Sequence, residues 1–321
     1  MYINPKSNRT NPFRKVYDDT KFTAAGKNSL PSFPFLVDIE LTNACNLQCI
    51  FCGQQAMQRK RGFMTEDCFK KIIDECAKHQ TPIRLIRWGE PFLHKEISNF
   101  IKYIKDRGLL LHITNNGLAL TTSHMEEMVK HEVDSLVFSF QGATKEEYEL
   151  MRNNAMYDKL KNNILKMIKI RGDHKKPFIH ISSTVTNEPK FQIDGFVNFW
   201  GNIVDSVDIG KTNLSRLNAN QIKSLETLAK LDVLKKQETI KKVYCGCKEV
   251  YQKLSVDWDG QVTCCCGDYD NFLTVGSISN STLKQIWDNS EELKLFRNLL
   301  DKKLHKSLTL CSTCYHTYDS F

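Results

Sequence analysis

Hydrophobic and polar positions along this chain follow two spacings that take turns. Phe35-Leu36-Val37-Asp38-Ile39-Glu40-Leu41 alternates in part and reads as a first strand. Thr65 then suits an N-cap, with Glu66 and Asp67 in the first turn and Phe69, Ile72, Ile73 and Cys76 on one helical face. Ile83–Ile86 is a short strand. Ile97, Phe100, Ile101 and Ile104 mark a second helix, stopped by Gly108. Leu109–Thr114 reads as a strand, Met125–Val129 as part of a helix, and Leu136–Phe140 as a strand. One long helix is expected from Lys145 to about Ile170. A strand at Phe178–Val185, a helix around Phe191–Trp200 and a strand at Val204–Ile209 complete the alternation.

Strands that alternate with helices of this length form βαβ units around a parallel sheet. Six such strands fall short of the eight that close a barrel. The fold class is therefore α/β, a partial (β/α)6 TIM-like barrel over residues 35–210. Residues 1–34 are polar and read as an N-terminal lead-in. Residues 211–243 are Lys-rich and amphipathic, a helical connector. From 244 to 321 the pattern changes again: Lys253–Trp258 and Gln261–Cys266 flank Asp259-Gly260, a two-residue hairpin signal. One helix over Leu283–Leu299 follows, making a small C-terminal α+β unit of hairpin plus helix.

Composition changes this picture at one point. The chain has 321 residues and 12 Cys. It lacks a signal-like apolar N-terminus and any run of about eighteen apolar residues, so a cytoplasmic chain without membrane contact is the expectation. Disulfide staples are not needed by a chain with so much core-forming material. The Cys positions are also clumped, at 45, 49 and 52, at 245 and 247, at 264–266, and at 311 and 314. Such clumping reads as metal ligation. Cys68 and Cys76 fit the pattern of helix packing instead. The net charge of +8 is dispersed, which speaks against a nucleic-acid surface and is compatible with an acidic electron-donor protein.

Cys45-Asn-Leu-Gln-Cys49-Ile-Phe-Cys52 sets three thiolates directly after the first strand. Three close thiolates suit three irons of a 4Fe–4S cluster and leave the fourth open, whereas a closed zinc site wants a fourth nearby ligand. This spacing, with Phe51 before the last Cys, resembles the radical S-adenosylmethionine (radical SAM) superfamily. The resemblance implies that the open iron binds S-adenosylmethionine and that its reductive cleavage gives a 5′-deoxyadenosyl radical. Trp88-Gly89-Glu90-Pro91 looks like the family's Gly-Gly-Glu-Pro element, with Trp88 in place of the first Gly. On that likeness Gly89, Glu90 and Pro91 hold the methionine end of the cofactor. Asn115, within Thr114-Asn115-Asn116-Gly117, lies near the ribose. Ser139 and Arg152, the latter placed in the helix after the fourth strand, supply ribose and carboxylate contacts.

The C-terminal run Asp259-Gly260-Gln261-Val262-Thr263-Cys264-Cys265-Cys266, the Val275–Ile278 segment, Leu283-Lys-Gln-Ile286-Trp287 and the closing Cys311-Ser-Thr-Cys314 look like the SPASM/Twitch extension of that superfamily. The likeness implies one auxiliary 4Fe–4S cluster on Cys247, Cys265, Cys311 and Cys314. Cys264 occupies the position where the family often has Pro; Cys266 and Cys245 are the alternative ligands, and a four-Cys zinc site is the alternative metal. The implied cofactors are thus S-adenosylmethionine and two 4Fe–4S clusters, with a flavodoxin or ferredoxin as electron donor. The implied reaction is a two-electron oxidation of a sugar or aminocyclitol type alcohol. Modification of a ribosomally made peptide is the alternative, and a non-catalytic zinc or nucleic-acid binding protein is the alternative of another class.

Overall fold

The computed structural model describes residues 2–19, 30–153, 155–212, 219–236 and 247–314. In chain order its strands are β1 (Tyr2–Ile3), β2 (Leu36–Ile39), β3 (Gln48–Cys49), β4 (Ile83–Leu85), β5 (Leu111–Asn115) and β6 (Ser135–Gln141). They continue as β7 (Arg152–Asn153), β8 (Phe178–Val185), β9 (Ser206–Lys211), β10 (Lys253–Val256), β11 (Gln261–Thr263) and β12 (Thr274–Ser277). The helices are α1 (Phe13–Asp19), α2 (Glu66–Lys78), α3 (Ile97–Asp106), α4 (Thr122–Lys130) and α5 (Lys145–Met151). After them come α6 (Tyr157–Arg171), α7 (Lys190–Gly201), α8 (Leu225–Lys236), α9 (Leu283–Asn289) and α10 (Glu291–Asp301).

One sheet runs β1-β9-β8-β6-β5-β4-β2-β10-β11-β12. Its middle is the six parallel strands β9-β8-β6-β5-β4-β2, and the sheet does not close on itself. Period-two alternation sorts the side chains between its faces. Leu136, Phe138 and Phe140 of β6 are buried, and the Phe140 ring lies 5.6 Å from Tyr148 of α5 and 5.3 and 5.4 Å from Phe196 and Trp200 of α7. Each such fully buried apolar side chain contributes about 1.5–3 kcal/mol. The intervening positions face away from the helices and, apart from Val137, are polar. Register sets Val137 beside His180 and Ser206, and Ser139 beside Ser182 and Asp208.

The ends of the elements obey local chemistry. Thr65 caps α2 by accepting the Cys68 N–H, and Thr144 with Glu147 forms a capping box on α5. Gly108, after α3, adopts φ +71°.

Four expectations need correction. First, residues 2–19 are more than a lead-in. β1 pairs antiparallel with β9, Ser7 Oγ bonds Asp205 at 2.6 Å, and buried Phe13 packs its ring 5.3 Å from His112, closing the floor beneath the polar face. Isolated anchors in a polar segment carry no periodicity, so the sequence hides this role.

Second, the long helix over 145–170 is two helices, α5 and α6, and Arg152 lies between them in β7. The Met151 carbonyl accepts the Ile50 N–H at 3.0 Å, and β7 pairs with β3. Third, the helix over 283–299 is also two. Ser290 ends α9 and caps α10 by accepting the Leu293 N–H.

Fourth, the C-terminal unit does not stand apart. β10 joins β2 in parallel, Ser255 beside Asp38, so the hairpin over Asp259-Gly260 extends the barrel sheet. Within the connector, 219–236 holds α8, whereas 213–218 and 237–243 lie outside the described residues.

Candidate functional site

The C-terminal ends of β2, β4 and β5 carry three segments that meet: the Cys45–Cys52 loop, the Trp88–Pro91 turn and the Asn115–Gly117 turn. The cysteine loop is held by its pairing with β7, where Cys49 sits opposite Arg152. Burial pushes the Cys45 thiol up to about 11, with Glu90 and Cys49 adding to the rise. Cys52 is pushed up to about 12 by burial and by the neighbouring Cys49 and Cys45. Thiols that disfavour one another's ionisation are near neighbours, and their joint deprotonation calls for a cationic partner such as cluster iron. Among the described residues no three His, Cys, Asp or Glu side chains converge as ligands of a single ion would.

Gly89 is required by close approach. A Cβ there would lie 1.8 Å from the Thr42 carbonyl oxygen, so the turn rests directly on the chain leading into the cysteine loop. The Glu90 N–H bonds the Ala44 carbonyl at 2.9 Å. Glu90 itself is buried and accepts from the N–H groups of Phe92 (3.2 Å) and Asn116 (2.7 Å), while Pro91 opens a short 3-10 turn behind it. Burial pushes its carboxyl up to about 7, opposed by those two N–H groups and by the Arg152 charge.

Arg152 is buried with its guanidinium 5.6 Å from the Phe51 ring and 5.7 Å from Tyr148, donating one bond to the Phe140 carbonyl at 3.0 Å. Its buried Nε–H has no acceptor among the described residues. An unspent cationic donor beside the cysteine loop fits a carboxylate-bearing cofactor. Ser139 lies half-buried on the polar face of the sheet, in the row with Ser182 and Asp208.

Asn115 behaves differently from the expectation. Its side chain bonds the Val137 carbonyl and accepts the Gly117 N–H, so it builds the turn. Its neighbour Asn116 is the one that reaches the loop, donating to Asn46 Oδ1 at 2.8 Å and lying 3.8 Å from Cys45 Sγ. An Asn-Asn pair gives no signal for which side chain closes the turn. Gln54, also unforeseen, donates to the carbonyls of Asn43 and Trp88 and ties the loop to the turn.

The second cysteine group gathers where the hairpin meets the chain's end. Burial, Glu249 and Cys314 push the Cys247 thiol up to about 12. Burial also raises Cys264 well above the usual thiol range, with contributions from Cys247 and Cys311. Cys311 opens a short 3-10 turn, and the Cys314 N–H bonds its carbonyl at 3.2 Å. Cys265 Sγ accepts the Gly267 N–H at 3.3 Å. Cys266 turns elsewhere: its Sγ is 3.4 Å from Glu249, which pairs with Lys253 at 2.6 Å. Cys245 lies outside the described residues.

No helix among the described residues is long and apolar enough to cross a membrane.

Comparisons with known proteins agree with this layout. The Radical SAM superfamily model matches residues 39–189, and the model of an iron-sulfur cluster-binding domain, SPASM, matches 245–315. A tungsten-containing aldehyde ferredoxin oxidoreductase cofactor-modifying protein of Pyrococcus furiosus is 26% identical over 311 residues, covering 85% of this chain and 86% of that protein. The mycofactocin maturase MftC of Mycobacterium tuberculosis is 23% identical over 311 residues, covering 89% and 77%. The crystal structure of Streptococcus suis SuiB bound to precursor peptide SuiA shares the fold, with a TM-score of 0.69 at 18% identity over 95% of this chain and 76% of that one. With residues 39–189 and 245–315 matched in this order, the chain is a radical SAM enzyme, of the superfamily that uses S-adenosylmethionine and a 4Fe–4S cluster, with a C-terminal SPASM iron–sulfur domain.

Proposed function

We propose that this enzyme carries out a two-electron oxidation of a polar, hydroxyl-bearing substrate of sugar or aminocyclitol type. The observation that carries the reading is the polar face of the sheet. There Ser139, Ser182 and Asp208 form one row across β6, β8 and β9, with His180, Gln141 and Thr184 in adjoining rows. Hydroxyl and carboxylate groups set in one row on this face suit a substrate rich in hydrogen-bonding groups.

Cys45, Cys49 and Cys52 hold the first cluster in this reading. Glu90 receives the amino group of S-adenosylmethionine, and the free Nε–H of Arg152 receives its carboxylate. Gly89 and Pro91 shape the turn and Phe51 shields it, while Asn115 fixes the turn that presents Asn116. Ser139 lies toward the ribose and the substrate. Cys247, Cys265, Cys311 and Cys314 would hold a single auxiliary 4Fe–4S cluster, and Cys264 beside them in sequence is buried. When bound, S-adenosylmethionine and its cluster supply a 5′-deoxyadenosyl radical and the auxiliary cluster an electron acceptor, which together support loss of a hydrogen atom, a proton and an electron from substrate. An acidic flavodoxin or ferredoxin type donor suits the +8 chain, and a reduction rate without salt dependence would contradict that pairing.

A second reading, modification of a ribosomally made peptide, is favoured by the near full-length similarity to MftC and to SuiB, the latter solved with a precursor peptide. Substrates deuterated at candidate carbons separate the two. Label transfer into 5′-deoxyadenosine from a sugar or aminocyclitol supports the first. Transfer only from a peptide overturns it in favour of the second.

A further inference from the structure

Three loops meet at Arg87 and Trp88, the residues just before the Gly89-Glu90-Pro91 turn. The Trp88 carbonyl accepts from Gln54 of the first cysteine loop, and its indole ring packs against that loop at Gly53, where a Cβ would lie 2.8 Å from the ring. On its other side the indole Nε1–H donates to the Asp268 carbonyl at 2.8 Å, and the ring meets Tyr269 edge-on at 5.9 Å. Asp268 and Tyr269 follow Cys264, Cys265 and Cys266 in the auxiliary loop, with only Gly267 between.

Arg87 makes the same connection through charge. Its side chain is fully buried and donates to the Asp268 carbonyl at 2.8 Å and to Thr263 Oγ1 at 3.0 Å, with Asp257 at 2.8 Å. Arg59 joins the network from the far end of the first loop, 2.9 Å from Glu40 and 3.1 Å from Asp257, with Nε on the Tyr269 carbonyl. Arg87 also holds φ +121°, which a non-glycine residue adopts only where its surroundings impose it. The partners that impose it here are hairpin and auxiliary-loop atoms. Trp88 stands where the Gly-Gly-Glu-Pro element that this turn resembles has its first glycine.

We propose that Arg87 and Trp88 are positioning residues that couple the auxiliary-cysteine loop to the S-adenosylmethionine site, so that an intact auxiliary site sets the Gly89–Pro91 turn for cofactor binding. The inference rests on the ligand reading given above. Coupling of this kind is reciprocal and typically changes affinity by roughly 5- to 150-fold.

The test is a double-mutant cycle read as the Kd for S-adenosylmethionine, by calorimetry on anaerobically reconstituted full-length protein with iron content measured alongside. Cys311→Ala/Cys314→Ala should weaken binding at least about fivefold in the wild-type background. In the Trp88→Phe background, which keeps a ring but loses the Nε1–H bond, the same change should weaken it less than about twofold. An unchanged Kd on auxiliary removal, or an equal fold-change in both backgrounds, overturns the coupling. Thr263→Val supplies a second arm that keeps every cysteine and removes one Arg87 partner. It should raise the Kd with iron content intact, and an unaltered Kd overturns the proposal if the double Cys variant does not fold. A wild-type protein that holds its iron yet fails to bind S-adenosylmethionine overturns the functional reading and the coupling together, which is distinct from binding that is present and uncoupled.

Discussion

Gly89→Ala is the smallest change that should separate cofactor binding from cluster assembly. The added Cβ would sit 1.8 Å from the Thr42 carbonyl oxygen, 2.6 Å from its carbon and 2.9 Å from the Ala44 carbonyl oxygen. All three are backbone atoms, so no side chain can swing aside. Restoring ordinary contact near 3.4 Å requires the turn or the loop to retreat by roughly 1.6 Å. That retreat breaks the 2.9 Å bond from the Glu90 N–H to Ala44 and moves the Glu90 carboxyl away from the cysteine loop. Overpacking costs about 1–3 kcal/mol and the lost hydrogen bond about 1 kcal/mol more. The cysteines keep their places in the sequence of the loop, so iron loading should stay near wild type. The affinity for S-adenosylmethionine should fall on the order of 100-fold, the scale of a displacement of about 1 Å in a positioned site. Calorimetric titration of reconstituted protein measures it. Gly195→Ala is the control: beyond its chain neighbours and the backbone of its own helix nothing lies within 4 Å of a Cβ there, and within α7 the change should stabilise by about 0.5–1 kcal/mol without altering affinity. A Gly89→Ala protein binding S-adenosylmethionine within about twofold of wild type would refute the close-approach argument.

Arg152→Ala should weaken S-adenosylmethionine binding more than Arg152→Lys does, since only the planar guanidinium spans the Phe140 carbonyl and a second acceptor; equal losses would remove the bidentate role. In separate Ala variants of the adjacent cysteines, Cys265→Ala should lower bound iron from about eight to about four per chain. Cys266→Ala should leave it unchanged, and iron loss from Cys264→Ala with retention in Cys265→Ala would reassign the ligand. Burial, with Arg84 and His180 beside it, pushes the His112 imidazole down to about 3. The folded state therefore keeps it neutral while the unfolded chain protonates it below about 6.5, so its contribution is present above that pH and is lost as pH falls toward 3. Between pH 5 and 6 the denaturation free energy of wild type should fall more steeply than that of His112→Asn, by up to about 1.4 kcal/mol per pH unit; parallel slopes would show that the buried imidazole is not the cause.

The parallel core was legible because every strand in it is apolar on the helix side. Phe178–Val185 was read with its observed ends, and the Thr65 and Gly108 boundaries follow from their capping and turn chemistry. Spacing marked the Cys45–Cys52 loop as a metal site, and the resemblance to the radical SAM superfamily marked the Gly89-Glu90-Pro91 turn. What escaped depends on partners far away in sequence. Arg152 leaves its helix because Ile50 and β3 claim the backbone beside it. Asn116 displaces Asn115 because one side chain of the pair is spent on Gly117. Phe13, a lone apolar residue in a polar stretch, finds His112 only once the sheet exists. Arg87 and Trp88 carry no local signal of their clamp, because their second loop lies about 180 positions on in the chain.

The central claim is that Cys45, Cys49 and Cys52 hold a cluster that activates S-adenosylmethionine. Anaerobically reconstituted, reduced wild-type protein should convert S-adenosylmethionine to 5′-deoxyadenosine and methionine, and the triple Ala variant at those positions should form neither while retaining about four irons on the auxiliary site. Wild-type protein with its full iron that yields no 5′-deoxyadenosine under strong reductant, or a triple variant that still yields it, would contradict the account.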